Sequence, residues 1–125
     1  MKRSVLYARV GFAFQNEKPN RLQEQISAMK IYCLDNNITV EGIYYEIAPA
    51  MNFKRKEFQN LLKDLENKKV KPDFLLFTEW HRLSTNIEET IKTYKWLAKK
   101  SVEAKAINDK DNSEAFLKIL KLLKK

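Results

Sequence analysis

The chain reads as a three-layer α/β fold with a mainly parallel, four- to five-stranded sheet flanked by helices. Three observations predict it. Apolar, strand-like runs alternate with helical patterns from one end of the chain to the other. One run, Phe74-Leu75-Leu76-Phe77, is apolar at every position, which suits a strand covered on both faces rather than one with a wet side. Glycine occurs only at Gly11 and Gly42, too seldom for a turn-rich β protein but enough for helices joined by short connections.

Each element follows from its own pattern. Ser4–Val10 is the first strand, and it runs into a polar loop, Gly11–Asn20, that contains Pro19. Leu22, Ile26, Met29 and Cys33 recur at helical spacing and predict a helix from Arg21 to Asn36, with Asn36-Asn37 suited to its end. Thr39–Ile47 is rich in β-branched and aromatic residues and reads as a second strand. After a loop from Ala48 to Lys54, Phe58, Leu61, Leu62 and Leu65 mark a second amphipathic helix that ends near Lys68-Lys69. Pro72-Asp73 precedes the third strand, Phe74–Phe77. Ser84 or Asn86 can cap the next helix, where Ile87, Ile91, Tyr94 and Leu97 form the buried stripe. Val102–Ile107 is a fourth strand. Phe116, Ile119, Leu120 and Leu123 mark a terminal helix whose lysines, Lys118, Lys121, Lys124 and Lys125, complement its dipole. This strand–helix alternation implies a parallel sheet with right-handed crossovers.

At 125 residues the chain is expected to form one domain, residues 1–125, with no linker dividing it. Its 24 Lys and Arg against 16 Asp and Glu leave a formal charge of +8, which favours polyanions. A solvated lysine-rich surface is the plainer reading of that excess, because the only arginines are Arg3, Arg9, Arg21, Arg55 and Arg82. A single cysteine, Cys33, excludes an internal disulfide and reads as core. With a single histidine as well, no metal site is expected, and no cofactor. No signal peptide opens the chain and no apolar run approaches membrane-spanning length, so a cytoplasmic protein is expected.

Three motifs stand at the expected strand ends. The first strand closes on Tyr7-Ala8-Arg9-Val10-Gly11, followed by Gln15, Leu22 and Gln25. After the second come Glu46, Ile47-Ala48-Pro49-Ala50 and then Arg55-Lys56-Glu57-Phe58-Gln59-Asn60-Leu61-Leu62. The third passes through Thr78-Glu79-Trp80 into His81-Arg82-Leu83-Ser84-Thr85-Asn86. In this order and spacing the blocks resemble the N-terminal catalytic domain of the serine site-specific recombinases, the resolvase/invertase family, over about residues 4 to 107. Leu75-Leu76-Phe77-Thr78-Glu79-Trp80 looks like the branch found in Bacteroidetes mobile elements.

The resemblance implies a resolvase-like fold, a part in DNA recombination and a phosphate site. Arg9, Arg55 and Arg82 match three of the family's arginines that neutralise the scissile phosphate, and Gln25 matches a polar residue near them. The departures concern the same site. Gly11 stands where the family has its nucleophilic serine, and a residue without a hydroxyl cannot attack a phosphodiester. His81 replaces a carboxylate that would orient the arginines, Thr85 replaces the last arginine of the cluster, and Ala48-Pro49-Ala50 replaces a Ser-Gly loop. The resemblance thus implies a homologue that cannot cleave DNA. The family continues into a long dimer-forming helix and a separate DNA-binding domain. Both are expected to be absent here, leaving only weak contacts to the phosphate backbone.

Plainer readings stand beside these. Arg9 suits an anion site or a structural ion pair. Arg55, flanked by Lys54 and Lys56, suits a solvated basic turn as well as a phosphate clamp. His81 reads as a surface histidine, with a general base acting on water as the sharper alternative. Phe12 and Phe14 read as packing over the site rather than stacking on bases, and Trp80 and Trp96 as packing residues. Two further functions remain beside the inactive homologue: an active or partner-assisted recombinase, and an α/β interaction module with no DNA role. Expected partners are DNA and an active recombinase or a second copy of the chain, with no membrane.

Overall fold

The computed structural model describes residues 1–11, 21–47, 55–84 and 86–108. Their order is β1 (Lys2–Val10), α1 (Arg21–Asp35), β2 (Ile38–Ile47), α2 (Lys56–Glu66), β3 (Phe74–Phe77), α3 (Trp80–Leu83), α4 (Ile87–Lys99) and β4 (Glu103–Ala106). The strands form one sheet in the order β2-β1-β3-β4, and every neighbouring pair is parallel.

β1 is central, and Ser4–Val10 is buried without a break. Its side chains divide between two cores. Val5 and Tyr7 join Leu75 and Phe77 against Phe58, Leu61 and Leu65 of α2, Leu83 of α3 and Leu97 of α4. Leu6 and Ala8 face the other way, with Leu76, onto Met29 and Cys33 of α1. The expected three layers result, with α1 on one face and α2, α3 and α4 on the other. A strand between two helical layers has no wet side, and so its sequence shows no alternation.

β2 contains a bulge that the sequence reading did not anticipate. Ser4 pairs with Val40 but Val5 pairs with Gly42, so Glu41 is the extra residue. The bulge reverses which residues face α1. Ile38 and Val40 pack there before it, and Ile43 after it. At Gly42 an added Cβ would lie 3.3 Å from the Tyr44 ring, so a side chain there would require that ring to shift by a few tenths of an ångström.

The scarcity of glycine shows at the helix ends. α1, α2 and α4 each end on a left-handed residue two places beyond the helix: Asn37 (φ 55°), Lys68 (φ 57°) and Ser101 (φ 63°). For α2 the amides of Lys68 and Lys69 bond the carbonyls of Leu65 and Asp64, and for α4 those of Ser101 and Val102 bond Ala98 and Leu97. These are the paired bonds of a Schellman cap, a position glycine usually fills because it alone takes that backbone without strain.

Between β3 and α4, where the sequence reading assigned no element, Trp80–Leu83 make a short helix. One expectation is corrected. In α4 Ile87 is 54% exposed, and Thr90 takes the core position one turn later. The Thr90 hydroxyl bonds the Asn86 carbonyl at 2.9 Å, which satisfies it inside the core, while the Asn86 side chain caps the helix by accepting from Glu89 N. Strand limits otherwise fall within two residues of expectation. The expected terminal helix, Phe12, Phe14, Ala48-Pro49-Ala50 and Thr85 lie outside the described residues.

Candidate functional site

Nine residues long, β1 outruns its four-residue neighbour β3. The two pair only from Ser4–Phe74 to Leu6–Leu76, so the end of β1 passes beyond the ladder on that side. A side chain of α1 replaces the missing strand at Arg9. Gln25 accepts from Arg9 N at 3.2 Å and donates to Arg9 O at 3.0 Å. Arg9 and Gln25 are thereby joined, as the sequence motif suggested, but through the arginine's main chain.

The guanidinium groups meet at the end of α3. Ser84 N closes this short helix on Trp80 O, so the carbonyls that follow have no helical donor. Arg9 supplies two donors, Nη2 to His81 O at 2.9 Å and Nε to Arg82 O at 3.0 Å. Arg55 supplies two more, Nη2 to Leu83 O at 2.6 Å and Nη1 to Arg82 O at 3.4 Å. Arg82 returns the contact, its Nη1 donating to Arg9 O at 3.0 Å. The three arginines are 4%, 3% and 6% exposed. Carbonyl dipoles at a helix end favour cations, which lets these charges be buried close together.

These bonds decide between the sequence alternatives. For Arg55 the solvated turn is wrong. It is the residue before α2, yet its side chain turns inward over the rings of Phe58 and Tyr7, 4.8 and 5.4 Å from their centroids. Burial lowers its pKa, opposed by the nearby carboxylates of Glu46 and Glu89. Arg9 is built into the end of α3 through main-chain acceptors, an arrangement that neither the anion-site nor the ion-pair reading described.

A carboxylate does reach this cluster, from two residues before His81. Glu79 lies 3.5 Å from Arg82 Nε and accepts from Thr78 Oγ1 at 2.8 Å and Asn108 Nδ2 at 3.0 Å. Burial alone would raise its pKa, but the bonds from Asn108 and Thr78, with the charge of Arg82, hold it below the usual carboxylate value. The sequence reading missed this residue. Its one signal is position, an acid directly after an apolar strand, where functional groups gather in parallel sheets. His81 itself is exposed, and it is its carbonyl that meets Arg9.

Glu46 is committed to structure. Its oxygens accept from Tyr7 Oη at 2.6 Å, Glu57 N at 3.1 Å and Phe58 N at 3.2 Å. It therefore caps α2 from the neighbouring strand, a task the side chain of Arg55 does not perform. Burial pushes the Tyr7 phenol far above its ordinary pKa, against the nearby Arg55 and with the help of the Glu46 bond. Tyr7 is therefore a neutral donor and not a nucleophile.

Gly11 is buried, two residues beyond Arg9 and directly after the end of β1. A cleft of about 560 Å³ lies elsewhere, where the ends of α2 and α4 approach Asp73, and it is rimmed by Lys68, Lys71, Lys99 and Lys100. It shares no residue with the arginine cluster.

Residues 4–125 match the family described as Resolvase, N terminal domain. No functionally curated protein matches the sequence. Among solved structures, the N-terminal catalytic domain of TP901-1 integrase superposes with a TM-score of 0.81 at 24% identity, covering 98% of this chain and 92% of that one. The C-terminal catalytic domain of ISC1926 TnpA, an IS607-like serine recombinase, gives 0.76 at 23% identity, over 97% and 78% of the two chains. A resolvase family site-specific recombinase from Streptococcus pneumoniae gives 0.77 at 18% identity, over 99% and 86%. At these identities the likeness is one of fold. Among the described residues no helix is long and apolar enough to cross a membrane.

Proposed function

The chain belongs to the resolvase N-terminal domain family, and on that premise we propose that it is a serine-recombinase catalytic-domain homologue that binds DNA phosphate without cutting DNA. Gly11 carries this reading. It stands at the end of β1 where the family's nucleophile is expected, beside a buried cluster of Arg9, Arg55 and Arg82. A phosphoserine link needs a hydroxyl oxygen to displace the leaving strand, and glycine supplies none. Tyr7 does not replace it, since its phenol is neutral and donates to Glu46. What remains is concentrated positive charge, suited to a phosphate as an anion but with no group to attack it. Contacts of this kind position DNA without reading its sequence.

A second reading, an interaction module without a DNA role, is favoured by one observation. The guanidinium groups of Arg9 and Arg55 tie down the carbonyls of residues 81–83, which gives the arginines a structural purpose.

Two measurements test the proposal. Incubation with supercoiled plasmid is expected to give no covalent protein–DNA adduct, and a DNA-linked band lost on nuclease treatment would overturn it. Binding to mixed-sequence duplex, followed by fluorescence anisotropy, is expected to be weak and to fall steeply between about 50 and 200 mM salt. Arg9→Ala with Arg82→Ala is expected to weaken it further. Equal binding by a folded double variant would assign the arginines to structure and favour the interaction module.

A further inference from the structure

The cleft between the ends of α2 and α4 lies beside Asp73 and Val102, the residues just before β3 and β4. The arginine cluster gathers where the strands finish, so the two sites stand at opposite ends of the sheet. At about 560 Å³ the cleft falls within the usual range of small-molecule sites, about 300–1,000 Å³. Lys68 and Lys71 reach it from the segment after α2, and Lys99 and Lys100 from the end of α4. Lysines near helix ends commonly complement the dipole. Here both ends are already closed, since the caps bond the carbonyls of Asp64 and Leu65 in α2 and of Leu97 and Ala98 in α4. The two acids of the lining are engaged as well. Asp73 accepts from Arg3 N at 2.9 Å, and Glu66 pairs with Lys100. The lining also holds Leu65, Val70, Pro72 and Val102, so an apolar surface is offered beside the four ammonium groups.

The backbone supplies an independent observation. Among the described residues the non-glycine residues with positive φ are Asn37, Lys68 and Ser101. Asparagine takes that conformation readily, whereas lysine and serine do so at a cost. Lys68 (φ 57°) and Ser101 (φ 63°) both line the cleft. Glycine at either position would relax the backbone and remove a side chain from the lining. Strain of this kind is characteristically kept where a ligand is held.

We propose that this cleft binds a nucleoside polyphosphate, with its phosphates among the four lysines and its base on the apolar lining. Lysine binds phosphate as a point charge and imposes no fixed fork, so several ammonium groups suit a flexible chain of phosphates better than one planar carboxylate. The apolar lining selects a ligand with a base over inorganic phosphate. It also selects against a duplex, whose bases stay stacked and would leave that surface unused. Lys100 is placed to respond. Its ammonium lies 4.8 Å from the centre of the Trp96 ring, and its partner Glu66 is 59% exposed. An exposed ion pair contributes little, so Lys100 exchanges Glu66 for a phosphate at small cost. The site uses no residue of the arginine cluster and does not depend on the reading given for it.

Calorimetric titration of the full chain with ATP, ADP, adenosine and inorganic triphosphate tests this. ATP and ADP are expected to bind at one site, adenosine to give no binding, and inorganic triphosphate to bind at least about threefold more weakly than ATP. Lys68→Ala with Lys99→Ala is expected to weaken ATP binding at least about 10-fold. Both lysines are exposed, so thermal unfolding of that variant is expected to match the parent. Lys68→Gly gives the second arm, with a higher unfolding midpoint but ATP binding weakened at least about threefold. Tryptophan fluorescence is expected to change on ATP binding as Lys100 moves, and Trp96→Phe to remove that change while the heat of binding persists. Absence of ATP binding, or equal affinity in the parent and both lysine variants, would overturn the proposal. So would ATP binding lost in Arg9→Ala with Arg82→Ala instead. Inorganic triphosphate binding as tightly as ATP would overturn the place given to the base. Lysine variants that lose affinity for duplex DNA, with no ATP binding by the parent, would assign the cleft to nucleic acid and overturn the choice of ligand.

Discussion

Arg55→Ala is expected to destabilise the fold severely, although the sequence allows this arginine to sit in a solvated turn. The wild-type side chain donates to Leu83 O at 2.6 Å and Arg82 O at 3.4 Å, and lies over two aromatic rings. A buried hydrogen bond from a charged group contributes about 1.5–3 kcal/mol, and the longer bond adds little. Each cation–π contact adds about 0.5–1 kcal/mol. Truncation also leaves the Leu83 carbonyl without this donor and opens space beside Phe58, so the total is about 3–5 kcal/mol. With a urea dependence of about 2 kcal/mol per molar, the unfolding midpoint should fall by roughly 1.5–2.5 M. Circular dichroism during urea titration reads it directly. Arg55→Lys should recover less than half of the loss, because a single ammonium does not reproduce a planar fork that spans two carbonyls. A midpoint within about 0.5 M of wild type would refute the claim that Arg55 holds the end of α3.

Three further outcomes are expected. Lys68→Gly relieves a left-handed backbone at φ 57° on an exposed residue, and should stabilise the protein by about 0.5–1 kcal/mol, seen as a higher midpoint in thermal unfolding; no change would mean the cap carries no strain. The folded-state pKa of Tyr7 is raised above its ordinary 10.0, so its contribution to stability is complete below that pH and is lost as pH rises above it. Urea midpoints measured through the alkaline range should therefore fall less steeply in Tyr7→Phe, by up to about 1.4 kcal/mol per pH unit, and parallel slopes would show the phenol to be accessible. Gly11→Ser restores a hydroxyl but leaves His81 and Thr85 in place, so the single variant should still form no covalent adduct with plasmid DNA; efficient cleavage would show that the remaining site is intact.

Much of the fold was legible because burial leaves a mark on side-chain chemistry. β1 and β3 announce themselves as apolar runs, α2 as Phe58, Leu61 and Leu65 on one face, and the start of α4 as Asn86. What escaped notice is made of main chain or depends on distant neighbours. The bulge at Glu41 shows in sequence only as a change of phase, from Ile38 and Val40 to Ile43 and Tyr45. Ile87 fits the stripe of α4 by spacing, and only the packed helix shows it half in water. Glu46 caps a helix that begins ten residues later, and Glu79 pairs with Arg82 three residues on.

The candidate site divides along the same line. In the sequence, the family resemblance implied that Arg9, Arg55 and Arg82 share a site, with Arg55 left open between that site and a solvated turn, and Gly11 visibly carries no hydroxyl. Only the tertiary structure decided what the arginines hold. Their acceptors include the carbonyls of residues 9 and 81–83, and a carbonyl is the same atom group in every residue. Side chains advertise themselves in a sequence, whereas which backbone oxygens a fold leaves without a donor is fixed only when strands of unequal length, such as β1 and β3, are set side by side.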